Sequence, residues 1–472
     1  MQLKHLFIQT IGCQMNVYDS DQFARMLKPQ GYALTDALSQ ADVILLNTCS
    51  IREKAEQKAF SFLGRLAKLK RKKPSLIIGV GGCVAQQEGE KIFKRVPHVD
   101  LVFGTRNLGR LPEMIDRIGR KRCRIVDVDM SAVVDPVMDF PIETKAMAPA
   151  RFVTIMRGCD NFCAYCVVPH VRGRETSRSP DEIVSEIKGL VAGGVREVTL
   201  LGQNVNSYGK KEGLCSFPEL LARVNAIDGL ARIRFTTSHP KDLSDELVAA
   251  FGELEKLCRH IHLPVQSGAN RILKRMNRKY TCEQYLEKID KLRAVCPDIA
   301  ISSDFIVGFP GETDADFDAT PALMRRVEFD SVFAFKYSDR PNAPSAAYTD
   351  KVLEAIKDER LQTLLALQSK TTLEKNQALV GTTACVLVEG TSKRGGDAGS
   401  CESAASVQWS GRSSTNKIVN FSLNENLNDA RQSLVGTLVD VRIEEAFHHS
   451  LRGKPAGSGD GFSYGKGESY AA

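Results

Sequence analysis

The sequence predicts an α/β protein of three modules. Residues 1–120 alternate apolar runs with amphipathic stretches, a rhythm typical of an N-terminal doubly wound parallel βαβ domain. Further strand–helix units in residues 145–375 predict a central partial (β/α)6 barrel. Short β-branched runs separated by Gly, Ser and Asn in residues 378–447 predict a small C-terminal β-barrel. Residues 121–144 are predicted to form a linker, and the Gly/Ser-rich residues 448–472 a flexible tail.

The composition is that of a soluble globular protein. Of the 472 residues, 43% are hydrophobic and 26% are charged. No apolar run reaches the length of a bilayer span, and the N-terminus shows no signal peptide, so we expect a cytoplasmic protein without membrane association. In that reducing compartment the 13 cysteines are expected to be metal ligands and buried thiols rather than disulfides.

The charge balance is moderately basic. A net charge of +7 permits a nucleic-acid partner without requiring one. Part of the excess lies in one dense stretch, which consists of Arg65, Lys68, Lys70, Arg71, Lys72 and Lys73. This stretch is either a solvated helix end or a contact for phosphate groups.

Three apolar runs in the N-terminal module predict buried parallel strands, at residues 6–11, 43–46 and 76–80. Amphipathic helical stretches at 20–27 and 53–69 separate them. A cysteine follows each strand, namely Cys13, Cys49 and Cys83. Because the carboxyl ends of parallel strands share one edge of a sheet, we expect the three thiols to converge. They are either ligands of one cluster or three unrelated buried cysteines.

The central module begins its repeat with a cysteine-rich loop. Its predicted strands are residues 152–156, 198–201, 233–236, 261–263, 299–306 and 331–335. Helical stretches such as 181–191 and 281–295 separate these strands. The loop after the first strand carries Cys159, Cys163 and Cys166, and the loops after the strands build the active sites of such barrels.

The C-x3-C-x2-C spacing predicts three thiolate ligands for a cubane iron–sulfur cluster. An electron-carrying cluster normally has four thiolate ligands, so a cluster with three has one iron open to a small molecule. A structural zinc site is an alternative, with His170 as its fourth ligand. A disulfide is disfavoured in a reducing compartment.

This run, together with Gly158, Phe162 and Tyr165, resembles the signature of the radical S-adenosylmethionine (SAM) superfamily. The resemblance implies that SAM chelates the open iron and is cleaved there to a 5′-deoxyadenosyl radical. It further implies that a second three-cysteine cluster is the better interpretation of Cys13 and its two counterparts.

Over nearly its whole length the chain resembles the radical SAM methylthiotransferases. Residues 12–16 and 47–58 are similar to the MiaB-type branch, which acts on isopentenyladenosine in tRNA. Residues 411–421 resemble the signature of that branch's RNA-binding TRAM domain, and residues 449–453 its usual ending. Two departures are the loop at 393–408, which is longer than in most relatives, and the extended tail.

The resemblance implies two [4Fe-4S] clusters and SAM as cofactors. One cluster would be held by Cys159, Cys163 and Cys166, and a sulfur-carrying auxiliary cluster by Cys13, Cys49 and Cys83. One SAM molecule would donate a methyl group and another would supply the radical. That radical would abstract hydrogen from C2 of the adenine, a carbon whose C–H bond no side-chain acid or base removes easily.

Contacts to SAM are expected from the loops after the barrel strands. The candidate residues are Gly202, Gln203, Asn204, Ser238, Gln266, Asp304 and Gly308. His239 and His262 are expected to be hydrogen-bonded structural residues. Arg412 and Lys417 of the last module are candidate phosphate contacts.

The implied partners are a tRNA substrate and an electron donor such as a flavodoxin or ferredoxin, with the sulfur donor left open. No heptad or long exposed apolar stripe is present, which favours a monomer. Three alternatives remain: a branch acting on threonylcarbamoyladenosine in tRNA, a branch acting on a ribosomal-protein aspartate, and a non-enzymatic RNA-binding protein with structural clusters. An open iron argues against the last, because it adds nothing to a structural role.

Overall fold

The computed structural model describes the chain in five stretches. These are residues 3–50, 53–131, 148–392, 407–422 and 434–456, and within them the side chains of 53–55 are excluded. No helix in these stretches is long and apolar enough to cross a membrane.

The N-terminal module is a parallel sheet between two layers of helices. Its strands are β1 (Lys4–Ile11), β2 (Tyr32–Leu34), β3 (Val43–Thr48), β4 (Ile77–Gly82), β5 (Leu101–Phe103) and β6 (Ile125–Asp127). Its helices are α1 (Gln14–Leu27), α2 (Glu53–Lys72), α3 (Cys83–Glu88), α4 (Lys91–Arg95) and α5 (Leu111–Lys121). The strand order is β2-β1-β3-β4-β5-β6, and every pair is parallel. From β1 the chain adds β2 on one side and then crosses over to add β3 to β6 on the other, so the switch point lies between β1 and β3. Ligands of such sheets bind at this switch point, beyond the carboxyl ends of the strands.

Both faces of this sheet are covered, which explains the unbroken apolar runs. Phe23 of α1 and Ile115 of α5 pack on one face, and Phe62 of α2 packs on the other. Every residue of β3 and β4 is buried. The predicted doubly wound βαβ architecture is therefore confirmed. The linker prediction missed β6, which lies inside residues 121–144, because a three-residue edge strand is too short to show periodicity.

The central module is a partial barrel of parallel strands. They are β7 (Ala150–Thr154), β10 (Glu197–Leu201), β11 (Arg232–Thr236), β12 (His260–His262), β13 (Ala300–Val307) and β14 (Ser331–Lys336). The first three form one sheet and the last three another, and Ile233 of β11 bridges to Leu257 just before β12. A short antiparallel ribbon joins β8 (Met156–Arg157) to β9 (Thr176–Ser177). The predicted (β/α)6 partial barrel is confirmed.

Helices alternate with these strands along the chain. They are α6 (Val168–Val171), α7 (Pro180–Ala192), α8 (Phe217–Asn225), α9 (Asp245–Glu253), α10 (Asn270–Arg275), α11 (Cys282–Val295), α12 (Asp314–Val327) and α13 (Glu354–Gln377). Short 3₁₀ helices span Lys28–Gln30, Leu108–Arg110, Val205–Ser207, Pro240–Asp242 and Pro344–Ala347. Several of the main helices begin with side-chain caps, as at Thr281 and Thr313, whose hydroxyls accept backbone N–H groups.

The C-terminal module is a closed β-barrel around Trp409 and Phe421. Its strands are β15 (Thr383–Thr391), β16 (Gln408–Ser413), β17 (Ile418–Ser422), β18 (Leu438–Ala446) and β19 (Leu451–Pro455). The predicted small barrel is confirmed, with two corrections. β16 begins at the end of the predicted 393–408 loop, and β19 lies in the predicted tail, because cross-strand pairing overrides a Gly- and Ser-rich composition. The remainder of that loop, 393–406, and residues 457–472 lie outside the described residues.

The hairpin between β16 and β17 closes the amino-terminal end of the central barrel. Arg232 donates to the carbonyls of Arg412 and Cys385, at 2.6 and 2.8 Å. Arg234 donates to the carbonyls of Ser413 and Ser414. Both arginines are buried at the start of β11. The C-terminal barrel therefore docks at the end opposite to the loops that carry the cysteines.

The N-terminal module packs near the other end of the central barrel. Met15 and Tyr18 of α1 pack against Leu201 at the carboxyl end of β10. Cys83 at the start of α3 packs with Val167 and Val171 around α6. The carboxyl edge of the first sheet thus lies against the first loop of the barrel.

Candidate active site

Three thiols meet at the switch point of the N-terminal sheet. Cys13 follows β1, Cys49 follows β3, and Cys83 begins α3 directly after β4. The Cys49 thiol lies within hydrogen-bond reach of both other thiols. Gly82 makes this possible, because its φ of +91° turns the chain into α3 and a Cβ there would lie 2.3 Å from the Thr48 carbonyl oxygen. The structure therefore brings together three cysteines far apart in sequence.

The three thiols differ in acidity. Hydrogen bonding with Cys49 lowers the pKa of Cys13 to about 6, and the same partner lowers that of Cys83 to about 6. The pKa of Cys49 is raised, because its neighbours become thiolates first and its proton is held between them. Iron–sulfur clusters bind thiolates, so this donor set suits a cluster with three protein ligands.

A buried arginine places positive charge beside these thiols. Arg172, just after α6, is 4% exposed, and its guanidinium reaches Cys83. Asp19 of α1 pairs with Arg172 at 3.2 Å and with Arg157 at 3.2 Å. Arg157 lies two residues before Cys159, so one carboxylate bridges the two cysteine groups. This Arg157–Asp19–Arg172 bridge fixes the N-terminal module against the barrel.

The second cysteine group occupies the loop after β8. Cys163 is buried, and the Cys166 amide donates to the Cys163 carbonyl at 3.0 Å, so the two share a tight turn. Burial raises the pKa of Cys159 to about 11 and that of Cys166 to about 12. Gly158 starts the loop with φ +75°, and a Cβ there would lie 2.1 Å from the Arg174 carbonyl oxygen. These thiols give a cluster the same three-ligand set.

Arg278 lies behind this loop. Its guanidinium lies 3.4 Å from the Cys163 sulfur and donates to the Pro264 carbonyl at 2.7 Å and the Tyr280 hydroxyl at 2.9 Å. Arg278 is therefore a buried cation in direct contact with the second cysteine group. His170, which the sequence offered as a fourth ligand for zinc, is exposed on α6.

Polar groups at the mouth of the barrel lack partners. Among the unpartnered buried atoms in the part of the chain that the structure describes, those at this mouth belong to five side chains, namely Gln203, Asn204, Asn206, Ser238 and His239, each with at least one such atom. All follow β10 or β11. Buried polar atoms are normally satisfied, so these loops fit a polar ligand.

This orphaned set adjoins the loop of the second cysteine group. Asp160, next to Cys159, accepts the Glu175 amide at 3.1 Å. Burial raises the pKa of Glu175, whose carboxylate hydrogen-bonds Ser207 just beyond the orphaned Asn206. A ligand between these loops would therefore contact both the polar groups and the cysteines. SAM, with its amino, carboxylate and ribose groups, has the chemistry to satisfy them.

The other predicted SAM residues lie on the second half of the barrel. Asp304 pairs with His262 at 3.4 Å, and the same His262 ring hydrogen-bonds Ser302 at 3.0 Å, in agreement with a structural histidine. Gln266 has φ +77°, and its backbone bridges β13. The Gly308 amide donates to Glu312, and a Cβ there would lie 2.3 Å from the Lys357 side chain.

His239 differs from His262. Its Nδ1 accepts the Lys241 amide at 3.2 Å, while its Nε2 belongs to the orphaned set. Burial lowers its pKa to about 2, so the ring is neutral at physiological pH. His239 is hydrogen-bonded as expected, but at one nitrogen, and the other faces the barrel mouth without a partner among the described residues.

Comparisons with known proteins agree with this geometry. Uncharacterized protein family UPF0004 matches residues 5–104, and the Radical SAM superfamily matches residues 153–324. A relative from Desulfosudis oleivorans is 54% identical over 97% of this chain and 99% of its own length. Relatives from Syntrophus aciditrophicus (52% identical, 96% and 94%) and Geobacter metallireducens (53%, 96% and 98%) carry the same name, tRNA-2-methylthio-N(6)-dimethylallyladenosine synthase. The chain belongs to this synthase family.

A solved structure with low sequence identity shares the fold of this synthase-family chain. The radical S-adenosylmethionine methyltransferase TsrM from Kitasatospora setae, with cobalamin and a [4Fe-4S] cluster bound, has a TM-score of 0.54 to this chain at 14% identity. The match covers 73% of this chain and 77% of TsrM. At that identity the likeness concerns the fold alone.

The two candidate RNA contacts lie at the docked hairpin of this synthase-family chain. Arg412 is half-exposed, and its Nε pairs with Glu389 at 3.2 Å. Lys417 pairs with Asp330 of the central barrel at 3.0 Å, and its side chain is 13% exposed. Burial in an interdomain ion pair speaks against a phosphate contact by Lys417, and this pairing could not be read from the sequence.

Sequence reasoning missed the charged residues that surround the cysteines. Asp19, Arg172 and Arg278 are buried and in contact with the cysteine groups, directly or through one another. Arginine and aspartate are ordinary surface residues in a single sequence, so their burial carries no local signal.

Proposed function

We propose that this chain methylthiolates C2 of N6-isopentenyladenosine (N6-dimethylallyladenosine) at position 37 of tRNA, next to the anticodon. The observation that carries the proposal is the meeting of two three-cysteine groups at the mouth of one barrel. Val167, the neighbour of Cys166, packs against Cys83, and Asp19 bridges arginines from both sides. The name shared by relatives about half identical over nearly the whole chain supports the substrate.

The two groups have different tasks in this proposal. Cys159, Cys163 and Cys166 would hold one [4Fe-4S] cluster, the one at which SAM is cleaved, and Cys13, Cys49 and Cys83 would hold the auxiliary cluster. The chemistry that the bound cofactors supply is hydrogen abstraction by a SAM-derived radical and delivery of a methylated sulfur. The chain's own contribution is to bring the two sets of cysteines close together. Arg172 stabilises the thiolate of Cys83, and Arg278 places a second buried cation 3.4 Å from the Cys163 sulfur.

Binding and orientation of SAM fall to the loops at the barrel mouth. The buried side-chain amides and hydroxyl of Gln203, Asn204 and Ser238 hydrogen-bond the cofactor. Gly202 and Gly308 shape the loops after β10 and β13 that hold it, because a Cβ there would press on Met156 and on the Lys357 side chain. Gln266 and Asp304 approach from the opposite side. The target adenine is flipped out of its loop into this mouth, because the reacting carbon must lie next to both cysteine groups.

The proposal includes further assignments for an RNA contact, the electron donor, the cellular location and the oligomeric state. Arg412 contacts phosphate groups of the tRNA. An electron donor such as a flavodoxin or ferredoxin would supply the electron that a cluster on Cys159, Cys163 and Cys166 needs. In this proposal the protein acts as a cytoplasmic monomer.

The test is a nucleoside analysis of the product. Anaerobically reconstituted protein is incubated with SAM, a reductant and isopentenylated tRNA, and digested nucleosides are read by mass spectrometry. The expected result is the methylthio derivative of isopentenyladenosine. SAM cleavage without change in that nucleoside would move the substrate to threonylcarbamoyladenosine or to a ribosomal-protein aspartate. Absence of SAM cleavage would favour an RNA-binding protein with structural clusters.

A further inference from the structure

One face of α2 carries a row of cations that the proposed activity does not use. Lys58, Arg65, Lys68 and Lys72 recur at spacings of three, four or seven residues, which places them on one side of a helix. All are exposed, and Ser61 lies between the first two on the same face. At a rise of about 1.5 Å per residue, the row is about 21 Å long.

Neighbouring lysines show which charges are already neutralised. Lys70 pairs with Asp100 at 2.7 Å, and Lys73 pairs with Asp42 at 2.6 Å. Both brace the sheet. By contrast, the four residues of the row make no ion pair with any described residue, and the sequence from Gln57 to Lys73 contains no acid. Among the described residues, the row is therefore a strip of positive charge without an acidic partner.

A cavity opens at the end of this row that is nearer the cysteines. It has a volume of about 620 Å³ and is lined by Lys58 and Arg65, by the ring of Phe62, and by Gln9 and Ile11 of β1. The Arg65 guanidinium lies 5.5 Å from the centre of the Phe62 ring. β2 pairs with β1 only as far as Leu6, so the later residues of β1 border open space. β1 ends at Ile11, two residues before Cys13.

We propose that this row and cavity form a binding track for the sugar–phosphate backbone of the RNA substrate, leading toward the N-terminal cysteine group. The inference rests on the proposed function, and it assigns a second RNA-contacting surface far from the C-terminal barrel. RNA fits better than an acidic protein for two reasons. The cations follow a line, as phosphates do, and the cavity joins the Gln9 amide to the charged ends of Lys58 and Arg65, which can hydrogen-bond phosphate and sugar oxygens.

The experiment measures binding of an isopentenylated anticodon stem-loop to the reconstituted protein by fluorescence anisotropy, at several salt concentrations. The test variant is Lys58→Gln/Arg65→Gln. The matched control is Arg325→Gln/Arg326→Gln, which removes the same charge from exposed positions near the end of α12. We expect the test variant to bind about ten-fold more weakly and its salt slope to fall by about 1 to 2, with the control unchanged. Unchanged iron content and circular dichroism exclude misfolding.

Outcomes separate this inference from the proposed function. Weaker RNA binding by the test variant supports the track even if no methylthio product forms. Equal loss of RNA affinity in both variants would show that net charge alone explains the effect, and it would overturn the proposed track. If RNA affinity is unchanged but turnover fails with a flavodoxin and not with dithionite, the strip binds an acidic electron donor and the RNA track is wrong.

Discussion

At the scale of single residues, the two cysteine groups are chemically unequal. A shared proton lowers the pKa of Cys13 to about 6, whereas burial raises that of Cys159 to about 11. In protein without clusters, the first thiol is mostly thiolate at neutral pH and the second is mostly protonated. Thiolates are the nucleophiles, so the two should respond differently to alkylation.

We therefore expect iodoacetamide to distinguish them. In the cluster-free folded protein, alkylation of Cys13 should rise through about pH 6 and then level off, while that of Cys159 should still be rising at pH 9 (roughly the value of an ordinary thiol). Peptide mass spectrometry at a series of pH values measures both rates. The denatured chain is the control and should give one profile for both, and one profile in the folded protein would contradict the assignment.

Asp19 forms ion pairs with the buried Arg172 and with Arg157, whose side chain is 11% exposed. The change Asp19→Ala leaves Arg157 and Arg172 without their carboxylate, so we expect a loss of about 3 to 5 kcal/mol in the free energy of unfolding. Asp21→Asn on the same helix is the control, because its pair with Arg151 is half-exposed and contributes about 0 to 1 kcal/mol. Thermal unfolding measures both, and equal effects would rule out the bridge.

At the scale of elements, the loop of the second cysteine group depends on a glycine. Gly158→Ala would force a Cβ to within 2.1 Å of the Arg174 carbonyl oxygen at φ +75°. We expect the loop to distort and the iron content to fall from about eight to about four per chain, since one cubane is lost. Gly194→Ala is a matched control, with φ +95° but open space around it, and it should retain its iron. Full iron in both variants would refute this role.

The elements themselves were largely predictable from periodicity. The fully buried β3 and the mostly half-buried β1 both show in the sequence as apolar runs, and the topology alone places the cysteines that follow them at one edge of the sheet. The misses were β6, β16 and β19, which are short or rich in Gly and Ser. Pairing with neighbouring strands stabilises them, and a single sequence does not display its pairing partners.

The cysteines of the candidate site were predictable from local sequence pattern, and the contacts that surround them were not. Cysteine spacing identifies both ligand groups, but it does not show that Arg172 lies beside one and Arg278 beside the other. Those contacts join residues about 90 or more positions apart. They depend on the tertiary packing of the chain, which a local sequence pattern does not predict.

At the scale of the whole molecule, the C-terminal barrel is held to the central barrel by buried arginines. Arg232→Met removes two hydrogen bonds to the carbonyls of Arg412 and Cys385. We expect a lower thermal midpoint and faster proteolysis after α13, with SAM cleavage unchanged because the docked hairpin lies at the far end of the barrel. Arg259→Met, which breaks only an exposed pair with Asp298, is the control. Loss of SAM cleavage in Arg232→Met, with the C-terminal barrel still docked, would contradict the separation of the docking surface from the catalytic end of the barrel.

The central claim is that two cysteine groups hold two clusters with separate tasks. The most direct measurement compares SAM cleavage and methylthio product in Cys49→Ala and Cys163→Ala, beside Cys215→Ala as a control. The account predicts about four irons in each of the first two and about eight in the control. Cys163→Ala should lose both activities, whereas Cys49→Ala should still cleave SAM but form no product. Product formation by Cys49→Ala, or loss of SAM cleavage in it with its four irons intact, would contradict the account.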